Sequence, residues 1–315
     1  MTPTARSESP TSENSRSARD AALSPLRLWL VASRPRTLPA AVAPVLVGTA
    51  LAGTEGTFKP LRFVCALIGS IFIQIGTNLA NDYSDARRGA DTEDRLGPVR
   101  VTAGGLMPPR QVLVGTYVAF GVAVAAGAYL IAVAGWQLLL VGAASIAAGV
   151  LYTGGPKPYG YEGLGELFVF LFFGVVAVVG SYFVQVEKLE WEAFALSVPV
   201  GLLASAILVV NNVRDVDTDR RAGKRTLAVK LGRDGARTLF DGMLALAFVA
   251  PIAIWASGSL TAWVLLPLLS APLALPLRRT VRTRTDGASL NGALAATGRL
   301  LAVYSLLLAI GVLAS

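Results

Sequence analysis

Two short runs of asparagine and aspartate contain the residues of this chain that are best suited to do chemistry. The first run, NLANDYSDARRGAD, spans residues 78–91. On an α-helix, Asn78 lies one turn from Asp82 and Asn81 lies one turn from Asp85, so each pair stacks on one helix face. These side chains offer oxygen ligands only, and such ligands select hard cations such as Mg²⁺. The run therefore indicates a site for a hard divalent cation.

The second run has the same character. The sequence NNVRDVDTDRRAGKRT spans residues 211–226, and its Asn211, Asp215 and Asp219 follow one another at intervals of four, along one ridge of a helix. A carboxylate near the C-terminal end of a helix opposes the helix dipole, so capping accounts for neither run. One such run is typical of a solvated helix end, but two runs with matched spacing favour a functional site.

The chemistry that suits both runs is the binding of a diphosphate through Mg²⁺. Mg²⁺ is commonly held by one or two carboxylates, by water and by substrate phosphate oxygens. Basic residues that could neutralise a departing diphosphate lie close to the runs in sequence: Arg87, Arg88, Arg100, Lys224 and Arg225. Neither run has the GxxxxGK[ST] spacing of a P-loop, which argues against nucleotide hydrolysis.

Long apolar segments must position these runs. Of the 315 residues, 54% are apolar and 15% are charged, whereas about a quarter of a soluble chain is charged. Nine apolar segments have lengths that suit membrane-spanning helices, which need about 20 residues. The predicted spans cover residues 37–53, 62–82, 111–132, 136–152, 166–186, 193–213, 238–256, 260–277 and 296–314. The acidic runs close the second and sixth spans, so a diphosphate bound there with its other end in lipid would be a polyprenyl diphosphate.

The basic residues predict the orientation of the spans. With nine spans, all 28 lysines and arginines except Lys59, Arg62 and Lys188 fall on one side of the membrane. Because basic loops are retained in the cytoplasm, we expect a cytoplasmic N-terminus, a C-terminus outside, and both acidic runs in the cytoplasmic half. The net charge of +8 then reflects topology, and no nucleic-acid partner is expected. Residues 1–24 are predicted to form a disordered cytoplasmic tail, followed by a single transmembrane domain over residues 25–315.

The chain contains no histidine and one cysteine, Cys65. This composition excludes histidine-based acid–base catalysis, histidine-containing metal sites and an intrachain disulfide. Carboxylates such as Asp91 or Glu166 could accept a proton instead. For Glu166 the helix dipole offers an alternative explanation, because an acid is favoured in the first turn of a helix.

The two acidic runs resemble the paired aspartate-rich motifs of the UbiA superfamily of intramembrane prenyltransferases. The N-D-x-x-D motif corresponds to residues 81–85 and the D-x-x-x-D motif to residues 215–219, while Asp91 follows Asp85 by six positions, where many members have four. Four further stretches resemble the branch that prenylates 1,4-dihydroxy-2-naphthoate in menaquinone synthesis: residues 33–39, 97–100, 152–174 and 223–227. The resemblance covers about residues 30–315.

This resemblance implies a polytopic all-α membrane protein in which nine transmembrane helices surround a central cavity, with Mg²⁺ as cofactor. It implies transfer of a polyprenyl chain from polyprenyl diphosphate to 1,4-dihydroxy-2-naphthoate with loss of CO₂ and diphosphate, giving demethylmenaquinone in the bacterial cytoplasmic membrane. The implied metal ligands are Asn81, Asp85, Asp215 and Asp219, with Asp82 in support. The implied catalytic residues are Asp85, Asp91, Asp215 and Asp219. The diphosphate is assigned to Arg88, Lys157 and Lys224, and the aromatic substrate to Asn78, Asn211 and Tyr159.

Two alternatives remain open at this level. The first is a prenyltransferase for another aromatic acceptor, such as 4-hydroxybenzoate or homogentisate. The second is a cation-coupled transporter, because carboxylates within a membrane can mark an ion path. Both acidic runs lie at one face of the membrane and not at its midplane, which favours a site open to cytoplasmic substrates.

Overall fold

The computed structural model describes residues 24–89, 96–98 and 100–315, and these ranges are helical without any strand. Their ten helices, numbered along the chain, are α1 Pro25–Ser33, α2 Pro39–Thr54, α3 Pro60–Arg87, α4 Pro109–Ala134, α5 Gln137–Leu151, α6 Gly165–Val186, α7 Trp191–Arg221, α8 Leu227–Ala256, α9 Ala262–Thr283 and α10 Gly287–Leu313. The predicted all-α class is confirmed. The predicted tail lies outside the described residues except for Ser24, whose hydroxyl accepts a hydrogen bond from the backbone N–H of Arg27 and caps α1.

The number of full membrane spans differs from the predicted nine. Among the described residues seven helices, α3, α4 and α6–α10, are long and apolar enough to cross a membrane. The segment Pro25–Thr37 and α2 form a pair bent by 55°, which adds an eighth span if the pair counts as one. Helix α5 has only 15 residues. The prolines at 35 and 39 flank the bend in the first span, and a turn that begins at Tyr152 ends the fourth. The chain is a multi-pass membrane protein.

Helix α7 lies at the centre of the bundle. In its most apolar stretch 78% of the residues are buried inside the protein, the largest share among the seven helices. It packs against α2, α6, α8 and α10, and all five helices contribute to the largest apolar cluster. The helix that carries the second acidic run is therefore in contact with four other helices.

Two glycines bring α6 and α7 into close contact. A π-helical turn over Phe170–Val176 places Gly174 against Gly201. A Cβ atom added to Gly174 would lie 2.6 Å from the Cα of Gly201, so no larger residue fits without movement of a backbone. Small residues of this kind let helices approach closely within a membrane.

Both acidic runs lie on helices, in agreement with their spacing. Helix α3 continues beyond its predicted end at residue 82 as far as Arg87, and α7 continues beyond residue 213 as far as Arg221. Gly89 and Gly223 follow these helices with φ angles of 63° and 75°. This left-handed conformation is the usual glycine termination of a helix, and it turns the chain away after each run.

Candidate active site

A cavity of about 970 Å³ contains both acidic runs. Along α3 its lining extends from Ala66 to Asp85, which is about 28 Å at 1.5 Å per residue. Ten polar side chains of both runs and nearby segments line it: Asn78, Asn81, Asp85, Arg100, Tyr161, Asn211, Asn212, Asp215, Asp219 and Lys224. Toward the other ends of the helices its walls are apolar, with Leu130, Leu138 and Val184 among the lining residues. The cavity thus fits a long ligand with a charged head and an apolar tail.

Asp85 is the more enclosed of the two carboxylates of the first run that the structure describes. It is 1% exposed and accepts hydrogen bonds from Nη2 of Arg100 at 2.9 Å and from the hydroxyl of Tyr161. One turn earlier, Oδ1 of Asn81 accepts a hydrogen bond from the hydroxyl of Thr153 at 3.0 Å. The predicted pair Asn81 and Asp85 therefore shares one face of α3 and points into the cavity.

Asp82 lies on a different face of α3 and is not among the cavity-lining residues. Its two carboxylate oxygens accept hydrogen bonds from the backbone N–H groups of Val101 at 3.1 Å and Thr102 at 2.9 Å. Both N–H groups belong to the segment that carries Arg100. This geometry assigns Asp82 to holding that segment on α3 and does not support its predicted contribution to the metal ligands.

Arg214 organises the second run. It is 1% exposed, and its Nε and Nη2 atoms donate to the two carboxylate oxygens of Asp215 at 2.8 and 2.5 Å. Its remaining hydrogen bonds reach Oδ1 of Asn211 at 2.8 Å and Oδ1 of Asn291 on α10 at 2.6 Å. A buried guanidinium needs such a full set of partners, and the planar fork holds the carboxylate in one orientation.

Lys224 and Tyr161 connect the two runs. The Nζ atom of Lys224 lies 3.9 Å from Oδ1 of Asp219 and 4.7 Å from the centroid of the Tyr161 ring, a cation–π distance. The hydroxyl of Tyr161 bonds to Asp85, and its carbonyl oxygen accepts from the backbone N–H of Arg225 at 2.8 Å. One tyrosine of the α5–α6 loop thus touches the first run and the loop after the second.

The three residues predicted for the aromatic substrate all line the cavity. The side-chain amide of Asn78 donates to the carbonyl of Ser33 at 3.0 Å, and Asn211 accepts from Arg214. The hydroxyl of Tyr159 donates to the carbonyl of Ala148 at 2.8 Å, and its ring stacks on Phe168 at 4.0 Å between centroids. Burial raises the pKa of Tyr159, so its hydroxyl stays protonated as a donor.

Two other predicted residues lie outside the cavity, and a third is not described by the structure. Arg88 and Lys157 are exposed and do not line the cavity, and a guanidinium nitrogen of Arg88 donates to the carbonyl of Gly155. The structure therefore does not support their predicted diphosphate contacts. Asp91 lies outside the described residues.

Sequence reasoning offered Arg100 only as one of several basic residues near the runs, and it did not assign Arg34, Arg214 or Tyr161 to the site, although these side chains line the cavity or orient its carboxylates. Arg34 lies within the stretch 33–39, which was noted only for its resemblance. Helical spacing does not predict that an arginine in a loop lies near an acidic run about 50 residues later in the chain. The resemblance of residues 33–39 was therefore the one available indication that Arg34 belongs to the site.

The donor set of the cavity fits a hard cation that arrives with a phosphate ligand. Asn81, Asp85, Asp215 and Asp219 offer only oxygen atoms, which suit Mg²⁺. In the part of the chain that the structure describes, no three Asp, Glu, His or Cys side chains come together as a ready-made metal cage would require. One or two carboxylates from each run are what Mg²⁺ uses when substrate oxygens and water complete its coordination.

Comparisons with known proteins place the chain in one family. The profile of the UbiA prenyltransferase family matches residues 41–295. A 1,4-dihydroxy-2-naphthoate octaprenyltransferase of Mycobacterium tuberculosis is 43% identical over 89% of this chain and 95% of its own length. A protein of the same name from Escherichia coli is 37% identical, over 93% and 97% of the two chains.

A solved structure has the same fold. It is the structure of a UbiA homolog from Archaeoglobus fulgidus bound to GPP and Mg²⁺, with a TM-score of 0.63 and 15% identity, over 91% of this chain and all of the other. Together with the family profile, these likenesses lead to one conclusion: the chain belongs to the UbiA prenyltransferase family.

Proposed function

We propose that this protein transfers a polyprenyl chain from polyprenyl diphosphate to 1,4-dihydroxy-2-naphthoate, with release of CO₂ and diphosphate, to give demethylmenaquinone in its reduced form. The observation that carries the proposal is the meeting of both acidic runs with Arg100 and Lys224 at the polar end of an otherwise apolar cavity. The two relatives named 1,4-dihydroxy-2-naphthoate octaprenyltransferase are 43% and 37% identical to this chain over most of its length, which supports the choice of acceptor.

Mg²⁺ held by Asn81, Asp85, Asp215 and Asp219 would draw negative charge from the diphosphate and make it a better leaving group. The chain's own contribution begins with cations: Lys224 lines the cavity beside Asp219, and its ammonium group can follow the charge of the departing diphosphate.

Arg100 and Arg34 bring two further guanidinium groups to the same cavity. Guanidinium groups bind phosphate oxygens through paired N–H donors, so these residues hold the head of the substrate in one orientation. The apolar walls bind the polyprenyl tail and keep water from the allylic carbon, where water would otherwise compete with the aromatic ring.

The bond changes balance without a dedicated base. The allylic C–O bond breaks and its electrons leave with the diphosphate, and a ring carbon of the naphthoate forms the new C–C bond. The electrons of the carboxyl C–C bond return to the ring as CO₂ leaves, so no net proton transfer is required. A chain without histidine can perform this reaction, because charge stabilisation and water exclusion are its main requirements.

The proposal includes the orientation of the protein in the bacterial cytoplasmic membrane. The exceptions to the basic side, Lys59, Arg62 and Lys188, meet Glu187 and Glu55 in ion pairs near the ends of α2 and α6, far along the helices from both acidic runs. The positive-inside rule then places the N-terminus and the acidic runs at the cytoplasm. Lys59→Cys and Lys230→Cys, each introduced alone into a Cys65→Ser background, test this in intact cells: labelling at position 230 by an impermeant reagent would show that the orientation is the opposite of the proposed one.

The function is tested with the purified protein, Mg²⁺ and a series of prenyl diphosphates. With 1,4-dihydroxy-2-naphthoate we expect a product whose mass shows addition of the prenyl group and loss of CO₂. Parallel reactions with 4-hydroxybenzoate and homogentisate should give little product. Prenylation of either compound without prenylation of the naphthoate would overturn the choice of acceptor, and Mg²⁺ flux into liposomes without any prenyl transfer would overturn the enzyme.

A further inference from the structure

A second cavity lies on the lipid-facing side of the bundle, between α8 and α9. This α8–α9 groove has a volume of about 530 Å³ and does not share any lining residue with the active-site cavity. Its charged residues are Asp241 on α8 and Arg278 and Arg282 on α9, and its other lining is almost entirely apolar, including Phe248 and Leu275. We propose that the α8–α9 groove binds an anionic phospholipid, with the phosphate at the two arginines and an acyl chain along the apolar part.

The charged end of the groove lies at the C-terminal end of α9, on the basic side of the protein, where we expect lipid headgroups. Arg237, one turn before Asp241, donates from Nε to the carbonyl of Val281 at 2.9 Å and from Nη2 to that of Arg284 at 2.8 Å. These bonds set the start of the groove level with the last turn of α9. Phe248 lies seven residues beyond Asp241, which is about 10 Å deeper along α8.

The charge of the groove is incompletely balanced, which favours an anion. Oδ2 of Asp241 accepts a hydrogen bond from Nε of Arg282 at 2.7 Å and lies 3.1 Å from Nε of Arg278 in an ion pair, so one carboxylate faces two guanidinium groups. The Asp241 side chain is 14% exposed, whereas those of Arg278 and Arg282 are 58% and 39% exposed. The arginines therefore keep N–H groups that face outward, and basic pockets between transmembrane helices are a recognised type of site for anionic headgroups.

A glycine leaves the apolar part open. Gly242 lines the groove, and a Cβ atom added there would meet no atom within 4 Å. The space is thus available to a chain of methylene groups, whose burial is favourable by the usual hydrophobic effect. A leucine at this position would fill the groove without changing any charge.

Native mass spectrometry of the delipidated full-length protein tests the proposal. The protein is mixed with phosphatidylglycerol and phosphatidylcholine of the same acyl chains at equal mole fraction. We expect preferential retention of one phosphatidylglycerol, and a loss of this preference by about thirtyfold in R278Q/R282Q, because each arginine near the surface contributes about fivefold. The matched control is R279Q, which changes an exposed arginine on the same helix that does not line the groove.

Two further experiments, a bulky substitution in the groove and competition by inorganic phosphate, distinguish lipid binding in the groove from a general attraction of anionic lipid to the protein surface. Gly242→Leu should lose retention with all charges intact, while Gly121→Leu, at an exposed glycine on α4 with similar free space, should keep it. Equal retention of both lipids by the unmodified protein, unchanged preference in R278Q/R282Q or Gly242→Leu, or displacement by millimolar inorganic phosphate would each overturn the proposal. The last outcome would mean that the acyl chain contributes nothing.

Discussion

Asp82 offers the sharpest test of the site, because the first motif and the structure assign it different work. As a metal ligand it would act on the diphosphate directly, whereas in the structure it holds the segment that carries Arg100. Replacing it by alanine removes both acceptors of the buried Val101 and Thr102 N–H groups. A hydrogen bond to a charged group contributes roughly 1.5–3 kcal/mol, so the two together contribute about 3–6 kcal/mol to keeping this segment in place.

A loss of that size detaches the segment, and with it the contact of Arg100 with Asp85 at 2.9 Å. We therefore expect Asp82→Ala to raise the KM for polyprenyl diphosphate by at least about a hundredfold, since the lower end of that range, about 3 kcal/mol, corresponds to slightly more than this factor. Asp82→Asn keeps one acceptor oxygen and should lie between the alanine variant and the unmodified protein. Faster hydrogen exchange over residues 100–107 in both variants would report the loosened segment.

The assay that decides between the two roles is the Mg²⁺ concentration that gives half-maximal rate. An anchoring Asp82 leaves this concentration unchanged within about twofold, whereas Asp85→Asn, a change at an expected ligand, should raise it strongly. If Asp82→Asn shifts the Mg²⁺ dependence as Asp85→Asn does while hydrogen exchange over residues 100–107 stays normal, then Asp82 binds the metal and the argument from its backbone contacts is wrong.

Three further predictions follow from the same geometry. Asp85→Ala and Asp219→Ala should abolish prenyl transfer while the protein still inserts and folds, and EDTA should do the same reversibly; near-normal turnover by either purified variant contradicts the metal assignment. Arg214→Lys loses the planar fork on the second run, so kcat/KM should fall on the order of tenfold or more, and an unchanged value would show that the fork is not needed. The hydrogen bond from Arg62 lowers the pKa of Glu187 from its ordinary value of 4.5. The ion pair of Glu187 therefore stabilises the folded state fully above pH 4.5, and this stabilisation is lost as the pH falls through the lower pKa of the folded state. The melting temperature should accordingly decrease when the pH is lowered below 4.5, and it should decrease less in Glu187→Gln.

Helical spacing was sufficient to predict the best-defined part of the site. Asn81 and Asp85 share a face of α3, and Asp215 and Asp219 share a face of α7, because positions four apart always do so on a helix. The apolar segments likewise predicted the spanning helices, since their length is set by the thickness of the membrane. The predicted count was too high because α5 has only 15 helical residues before a turn begins at Tyr152, and because the first predicted span belongs to a pair of helices bent by 55°.

Contacts between distant segments were beyond such rules. Spacing could not show that Asp82 faces the later segment with Val101 and Thr102. Asp82 is as polar as Asn81 and Asp85, so the sequence does not reveal that only those two face the cavity. Nor could it rank the arginines: Arg88 is close in sequence to the first run yet exposed, whereas Arg34 precedes it by some 50 residues and lines the cavity. Proximity along the chain and proximity in the fold differ most for long side chains in loops.

The contact between Gly174 and Gly201, in the middle parts of two spanning helices, fixes the position of α7 relative to α6. Asp215 lies 14 residues beyond Gly201 on the same helix, about 21 Å along its axis. A tilt of α7 by a few degrees about the glycine contact would move Asp215 and Asp219 sideways. The displacement grows with distance from the contact, so it is larger at these aspartates than at the glycines. We therefore expect substitutions at Gly174 or Gly201 to lower the activity of this enzyme although neither residue carries a polar side chain of the site. Residues that determine its activity should be sought at this helix contact as well as in the cavity.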